Sequence, residues 1–373
     1  MTPVPPSIPD VSRAAVLRRF GLPLAVEEVP IPRTIEPSAL LVKTDCCTIC
    51  GTDVHLVNGS IARRVDLPVI AGHEMTGRIV AKGAGTDTDS MGQSLSVGQR
   101  IVWTRTNCGH CYMCTTAAQP TLCENARAYM YESMERSPYL LGGMSEYVYV
   151  LPQSGRVAVP EDVDSALASM ASCAFRSVMH AVDELGGVAK DQSVVIQGTG
   201  PLGLLAIALV RTKGAGRVIA IGAPDERLDL ATSFGADEAL SIERTDAAER
   251  HAVVQGLTGG RGADVVMEFT GNPEAFLEGT ALARRGGAYL VVGQLGQGEV
   301  SFRPSTLVHR NLRLIGSLAG GAKDYWSALQ FLSAHKSDFP FAKLVSKRYE
   351  LGGVNAAIAA MAGHSEIKPI VVL

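Results

Sequence analysis

The 373-residue sequence has no run of like charges, and its formal net charge is only −3 at pH 7. So balanced a surface argues against nucleic acid or acidic lipid as the main partner. Long apolar runs are missing too. The longest beside a helical pattern, residues 202–210, falls far short of the roughly 20 residues a membrane span needs. The proline-rich stretch 1–12 lacks the basic-then-apolar order of a secretory leader, and no internal repeat follows it. The expectation is a soluble, cytoplasmic chain with no membrane and no nucleic-acid partner. Apolar mass is what the sequence has: 46% hydrophobic against 19% charged residues, in a chain long enough for about two domains.

Eight cysteines stand at 46, 47, 50, 108, 111, 114, 123 and 173. In a small secreted domain they would suggest disulfides. In a large chain with no export pattern, closely spaced cysteines are more often metal ligands.

The first 160 residues are β-rich and loop-rich, with short apolar stretches broken by Gly, Pro and Asp. From about residue 190 the pattern changes. Buried-strand runs at 193–197, 217–221, 263–269, 288–292 and 312–315 alternate with helical patterns at 201–213, 225–234, 245–257 and 273–284. Such alternation predicts a parallel, doubly wound α/β sheet. Gly235 and Gly286 follow helical segments, where left-handed caps are expected. A helix at 324–334 and a strand at 369–373 end the chain.

The run Val194-Val195-Ile196-Gln197-Gly198-Thr199-Gly200-Pro201-Leu202-Gly203 is a strand feeding a glycine-rich turn and a helix. Gly198 permits the turn, Gly200 lets a pyrophosphate approach the backbone, and Gly203 lets helix and strand pack closely. The helix N-terminus, from Pro201 and Leu202, offers free N–H groups to the anion. A lone motif of this kind is weak, but this one has the required strand–turn–helix context. Thr270, Val292 and Ser317 are further cofactor candidates in the same half. The acidic residue expected after the second strand is absent: Gly222 stands there, followed by Ala223 and Pro224. Without that carboxylate NADP becomes as open as NAD, and Arg227 is the nearest cation in sequence. Asp225 and Glu226 at the helix start read as capping residues.

In Cys108-x2-Cys111-x2-Cys114-x8-Cys123, four thiolates fall within one loop, enough to close a structural zinc site with no open position. A disulfide pair and an iron–sulfur cluster are the competing readings. A second set is scattered: Cys50 with Thr52, Asp53 and His55, then Gly72-His73-Glu74, then Cys173. Each is ordinary alone. Together two thiols and an imidazole leave a fourth zinc position open for substrate. Cys46 and Cys47 read as core.

These motifs, in this order, resemble the zinc-dependent medium-chain alcohol dehydrogenases over nearly the whole chain. The resemblance implies a GroES-like catalytic domain over 1–183, completed by 322–373, around an inserted Rossmann domain over 184–321. It implies two zinc ions per chain, with Cys50, His73 and Cys173 on the catalytic one. Glu74 is then a neighbour of that metal, able to exchange with its ligands. Thr52 and His55 match the family's proton relay, Asp53 a partner of the zinc histidine, and Lys368 a cation on the cofactor pyrophosphate. The implied reaction is reversible hydride transfer from an alcohol to NAD or NADP, in a homodimer or homotetramer. Departures exist: eight residues rather than seven separate the last two lobe cysteines, and Gly51 replaces an arginine some relatives place on the pyrophosphate. Polyol and threonine dehydrogenases of the family usually have Glu where Cys173 falls.

Two other functions stay open at this point: a zinc-free reductase of activated double bonds, and a non-catalytic nucleotide-binding protein. For the substrate, residues 104–107 and 126–139 are candidate walls. Tyr129, Met130, Tyr131, Met134 and Tyr139 in the second would favour a bulky or cyclic secondary alcohol. Arg127, Arg136 and Arg176 could contribute an anion site. Subunit contacts are expected through edge strands near 288–293 and 300–303.

Overall fold

The computed structural model describes residues 1–294, 296 and 298–373. It divides into two units: Met1–Arg176 with Gly320–Lys336 and Phe341–Leu373, and Ser177–Ala319 with Ser337–Pro340. The first is therefore assembled from both ends of the chain.

Among the described residues, the first unit is built on a seven-stranded sheet. Its centre is β1 (Leu40–Thr48) paired antiparallel with β2 (Glu74–Lys82), which pairs with β3 (Arg100–Thr106). Leu40, Leu41 and Val42 are buried, as are Cys46 and Cys47, so both of those cysteines are core residues. The terminal strand Ile370–Val372 lies against the far edge of β1, with Ile370 opposite Thr48 and Val371 opposite Cys47. Helix α1 (Gly51–Asn58) leaves the end of β1. Cys50 caps it, its Sγ accepting from the Thr52 N–H, while Asp53 Oδ2 accepts from the Cys50 N–H at 3.0 Å. A second apolar core of satellite size gathers Cys46, Ala166 and Ile370.

In the second unit six parallel strands run β4 (Ser193–Gln197), β5 (Arg217–Gly222), β6 (Glu238–Ser241), β7 (Ala263–Glu268), β8 (Ala283–Val291) and β9 (Arg313–Gly316). Their spatial order is β6-β5-β4-β7-β8-β9. All the residues of β4 after Ser193 are buried, as a strand covered by helices on both faces must be. The chain moves to one side of β4 for β5 and β6, then crosses to the other for β7. The expected doubly wound sheet is present, with its topological switch between β4 and β7.

Two local expectations change. Gly286, with φ of 69°, lies inside β8 and caps no helix, because helix Pro273–Leu282 ends earlier and Ala283 already pairs with Ala263. The extra residues before Ala288 are taken up by a register shift between Ala263 and Val265. For the same reason residues 288–293 supply no edge: β8 is paired on both sides, and the edges are β6 and β9. Residues 300–303 form no strand. Among the described residues, no helix is long and apolar enough to cross a membrane.

Candidate metal and nucleotide sites

Gly72 turns the chain into β2 with φ of 90°, in a place where a Cβ would come within 2.8 Å of Cys47 Sγ and of Met144. Only glycine fits there, and the turn delivers His73 and Glu74 side by side at the start of β2. The third cysteine arrives on a different device. Residues 165–185 form one helical run in which Ala171–Phe175 is a π-helical turn, so Cys173 sits on the distorted segment. The run is thus wider at its middle than an unbroken α-helix. Such turns add a residue to the helix and recur at functional sites. Serines dock it: Ser169 Oγ donates to the Glu74 carbonyl at 2.8 Å and accepts from the Thr48 N–H at 2.9 Å, and Ser172 Oγ accepts from the Met75 N–H at 3.0 Å.

The donor atoms of Cys50, His73, Glu74 and Cys173 all lie within 4.8 Å of one another. Cys50 Sγ and His73 Nε2 are 3.4 Å apart. A tetrahedral zinc spaces sulfur and nitrogen ligands by about 3.5 Å, given its bond lengths. Two sulfurs, one nitrogen and a carboxylate behind them therefore fit zinc. The other imidazole nitrogen, His73 Nδ1, faces Asp53 Oδ1 at 3.5 Å, and neither atom has a nearer partner. Asp53 is wholly buried, so helix α1 supplies the carboxylate that orients the ring. Hydrogen bonding to Cys173, then burial, pushes the Cys50 thiol up to about 12, while the hydrogen bond from Cys50 holds Cys173 well below the usual thiol range. Thr52 and His55 share α1 with Asp53, and His55 Nδ1 lies 2.8 Å from Ser60 Oγ.

Lys368 meets a carboxylate of its own unit. It is wholly buried, and Nζ lies 2.6 Å from Glu74 Oε2. Burial raises Glu74 to about 7 although Lys368 opposes the shift. Burial would lower Lys368, but Glu74 and the two thiols outweigh it and hold the ammonium at about 12. The physical reason is register: Ile370 pairs with Thr48, and Thr48 pairs with Glu74, so the residue two before Ile370 arrives at the carboxylate.

In the cysteine loop the four sulfurs also lie within 4.8 Å of one another. Cys111 Sγ and Cys123 Sγ are 3.9 Å apart, close to the roughly 3.8 Å edge of a zinc–sulfur tetrahedron and far beyond the roughly 2.05 Å of a disulfide. All eight cysteines are free thiols, which removes the disulfide reading. The Asn125 amide and backbone N–H groups lower Cys108 to about 5, giving the thiolate that a metal requires.

In the second unit the candidate cofactor residues gather at the carboxyl ends of the strands. Gly198 follows β4 with φ of 104°, and a Cβ there would be 3.2 Å from Phe269 and Thr270 at the end of β7. Gly200 caps helix α2 (Pro201–Thr212), Pro201 is its first residue, and Leu202 follows. Nothing lies within 4 Å of where a Gly200 Cβ would stand, which leaves the N-terminus open to a ligand. A Cβ on Gly203 would strike the Gly198 carbonyl oxygen. Gly222 ends β5, Val292 follows β8, and Ser317 follows β9 with a buried hydroxyl that has no hydrogen-bond partner among the described residues. Thr270 donates to Glu268 Oε1 at 2.7 Å through Oγ1. Arg227 stands half-buried in the first turn of helix α3 (Asp225–Ser233). This crevice, at the switch point of a parallel sheet, is where a dinucleotide binds, and the residues present fit one. Sequence reasoning missed Thr199, whose side chain fills the space a Cβ at Gly222 would need.

Residues 36–161 match the family of alcohol dehydrogenase GroES-like domains, and residues 201–334 match the zinc-binding dehydrogenase family. A 5-exo-hydroxycamphor dehydrogenase from Pseudomonas putida is 33% identical over 342 residues, 90% of this chain and 92% of that protein. An alcohol dehydrogenase structure from Thermotoga maritima covers 97% of this chain and 99% of its own at 34% identity, with a TM-score of 0.91. A zinc-binding dehydrogenase structure from Sinorhizobium meliloti 1021, solved with NADP, covers 97% and 99% at 29% identity and a TM-score of 0.83. The chain belongs to the zinc-dependent medium-chain alcohol dehydrogenase family. It is an NAD(P)-dependent oxidoreductase with a GroES-like and a Rossmann-type unit.

Proposed function

We propose that the chain oxidises a secondary alcohol, bulky or cyclic by preference, to its ketone, reversibly, by hydride transfer to NAD or NADP. The observation that carries this reading is the convergence of Cys50, His73 and Cys173 with Glu74, two sulfurs and a nitrogen at zinc spacing with a carboxylate behind them. Cys50, His73 and Cys173 hold the catalytic zinc, and Cys108, Cys111, Cys114 and Cys123 hold a second, structural one. Bound there, the catalytic ion supplies a Lewis acid that makes a hydroxyl group easier to deprotonate. Asp53 keeps the His73 ring in place. Thr52 takes the hydroxyl proton and His55, on the same helix, carries it outward. Glu74, held by Lys368 and by Thr48 at 2.5 Å, stays behind the ligands as a tethered carboxylate. Gly198, Gly200 and Gly203 with the start of α2 take the cofactor's pyrophosphate, and Gly222 sets no carboxylate against a 2′-phosphate.

The catalytic domain then comprises 1–183 and 322–373 around a nucleotide domain of 184–321, in a cytoplasmic homodimer or homotetramer. The relative named for 5-exo-hydroxycamphor supports the preference for a bulky ring. The wall at 126–139 supports it less than its composition suggests, because Tyr129, Met130 and Met134 are buried in the core. A steady-state panel of primary, secondary and cyclic alcohols with both cofactors tests the reading. Cyclic secondary alcohols should give the highest kcat/KM; no turnover of any alcohol with either cofactor overturns it.

A further inference from the structure

Each arginine that the sequence offered for an anion site already has a partner. Arg127 pairs with Glu132 and Arg136 with Asp66, at 2.7 and 2.9 Å. Arg176 donates to the Ser172 and Gly320 carbonyls at 3.2 and 3.5 Å. Arg105 has none. It is half-buried near the end of β3, yet among the described residues it makes no ion pair and no side-chain hydrogen bond. It lines a cavity of about 330 Å3 within the first unit, at the small end of the roughly 300–1,000 Å3 typical of ligand pockets. The stretch 104–107, expected as a substrate wall, lies along this cavity, whereas Cys50, Thr52, His55, His73 and Cys173 do not.

Sheet register brings the polar part of the lining together. Arg105 and Asn107 stand two residues apart at the end of β3, a spacing that puts both on one face. The strand Ser154–Ala158 pairs with β3, Ser154 opposite Thr106, and the Asn107 N–H donates to the Gln153 carbonyl at 3.3 Å. Gln153 therefore stands across from Asn107, on the same face. Thr121, buried, joins them from the end of the cysteine loop. Other hydroxyls of the lining serve the fold. Thr104 Oγ1 accepts from the Gly155 N–H at 3.0 Å, Thr106 Oγ1 from the Arg127 N–H at 2.8 Å, and Ser154 Oγ lies 2.8 Å from the Tyr129 hydroxyl. The side chains of Arg105, Asn107, Thr121 and Gln153 make no hydrogen bond among the described residues. Arg105 is the one charged side chain of the lining, and no carboxylate accompanies it. A guanidinium partly withdrawn from water without a counter-charge is costly, and an anion removes that cost. Its planar fork suits a carboxylate or a phosphate, each of which accepts two parallel N–H bonds, and the two amides and the hydroxyl suit hydroxyl groups.

We propose that this cavity is a second binding site, apart from the metal cluster, for a small hydroxylated molecule bearing one oxyanion group, carboxylate or phosphate. The oxyanion meets Arg105, and Asn107, Gln153 and Thr121 hold the hydroxyl-bearing body. The site stands whether or not the chain oxidises alcohols. It also has a mechanical consequence. Asn107 immediately precedes Cys108 and Thr121 stands two residues before Cys123, so a molecule held by both ties together the two ends of the cysteine loop.

Calorimetric titration of the zinc-loaded chain with gluconate, glucose 6-phosphate and glucose tests the site. Gluconate or glucose 6-phosphate should bind at least tenfold more tightly than uncharged glucose, and the tighter of the two names the oxyanion. Arg105→Gln should weaken that anion about ten- to hundredfold, the range for a lost charge-assisted hydrogen bond. Gln153→Glu should do the same while keeping the arginine, because it sets a carboxylate in the lining. Gln153 is exposed, so this second variant leaves the fold intact. Cys50→Ser should bind the anion as the parent does. In the parent the bound anion should also slow limited proteolysis within residues 108–123, and in Arg105→Gln it should not. Binding of neither anion more tightly than glucose overturns the proposal, as does anion binding that survives both Arg105→Gln and Gln153→Glu. Loss of anion binding in Cys50→Ser overturns it too, since the anion would then sit at the metal cluster.

Discussion

Lys368 Nζ and Glu74 Oε2 meet 2.6 Å apart where their side chains are 1% and 0% exposed. The segment leading into the terminal strand thereby places a cation beside the Cys50, His73, Glu74 and Cys173 cluster, whose members come from three other segments of the chain. Removing either partner leaves a buried charge uncompensated, which costs roughly 3–5 kcal/mol. Lys368→Met should therefore lower stability to urea by about that amount. The double variant with Glu74→Gln should lose clearly less than the sum of the two single losses, because neither charge then remains. Additive losses would show that the two groups do not depend on each other.

Asp53 links helix α1 to the metal cluster through His73. Asp53→Asn keeps the capping oxygen for the Cys50 N–H but removes the charge facing Nδ1. Zinc affinity, measured by competition with a chelator, should fall about ten- to hundredfold, the usual effect of losing a partner of a ligating histidine. Unchanged affinity would mean that Asp53 serves only as a cap.

The cysteine loop should behave independently of the catalytic cluster. Cys111→Ser is expected to drop the zinc content by one ion per chain and to expose residues 108–123 to limited proteolysis. The remaining ion should stay with Cys50, His73 and Cys173. Loss of both ions on this one substitution would contradict separate sites.

Gly222 and Thr199 are coupled by contact. Gly222→Asp alone should destabilise the nucleotide unit by about 1–3 kcal/mol, as overpacking does, because its Cβ would enter the space of the Thr199 side chain. Combined with Thr199→Gly it should fold normally and bind NADP at least tenfold more weakly than the parent. The thermal midpoint and the two cofactor dissociation constants check both parts. A single variant as stable as the parent would remove the steric argument.

How far the sequence alone reached depends on the range of the determining interactions. The glycine turn from Gly198 to Gly203 and the loop from Cys108 to Cys123 were readable because local spacing creates them. The alternation of strands and helices was readable for the same reason, although Gly286 was misplaced where β8 starts directly from a helix. The pairing of Lys368 with Glu74 was not readable, because it is set by the register of the terminal strand on β1, which no local pattern encodes. Nothing in the sequence marks the π-helical turn that carries Cys173. Tyr129 and Met130 resembled a substrate wall, yet their burial depends on what folds over them.

The central claim is that Cys50, His73 and Cys173 hold the zinc at which the alcohol reacts. Elemental analysis of the Cys50→Ser variant, paired with its rate of alcohol oxidation and its NAD or NADP affinity, tests it most directly. Two zinc ions per parent chain and one per variant chain are expected, with oxidation abolished and cofactor affinity kept. A variant that retains both ions, or that oxidises alcohol at the parent's rate, would contradict it.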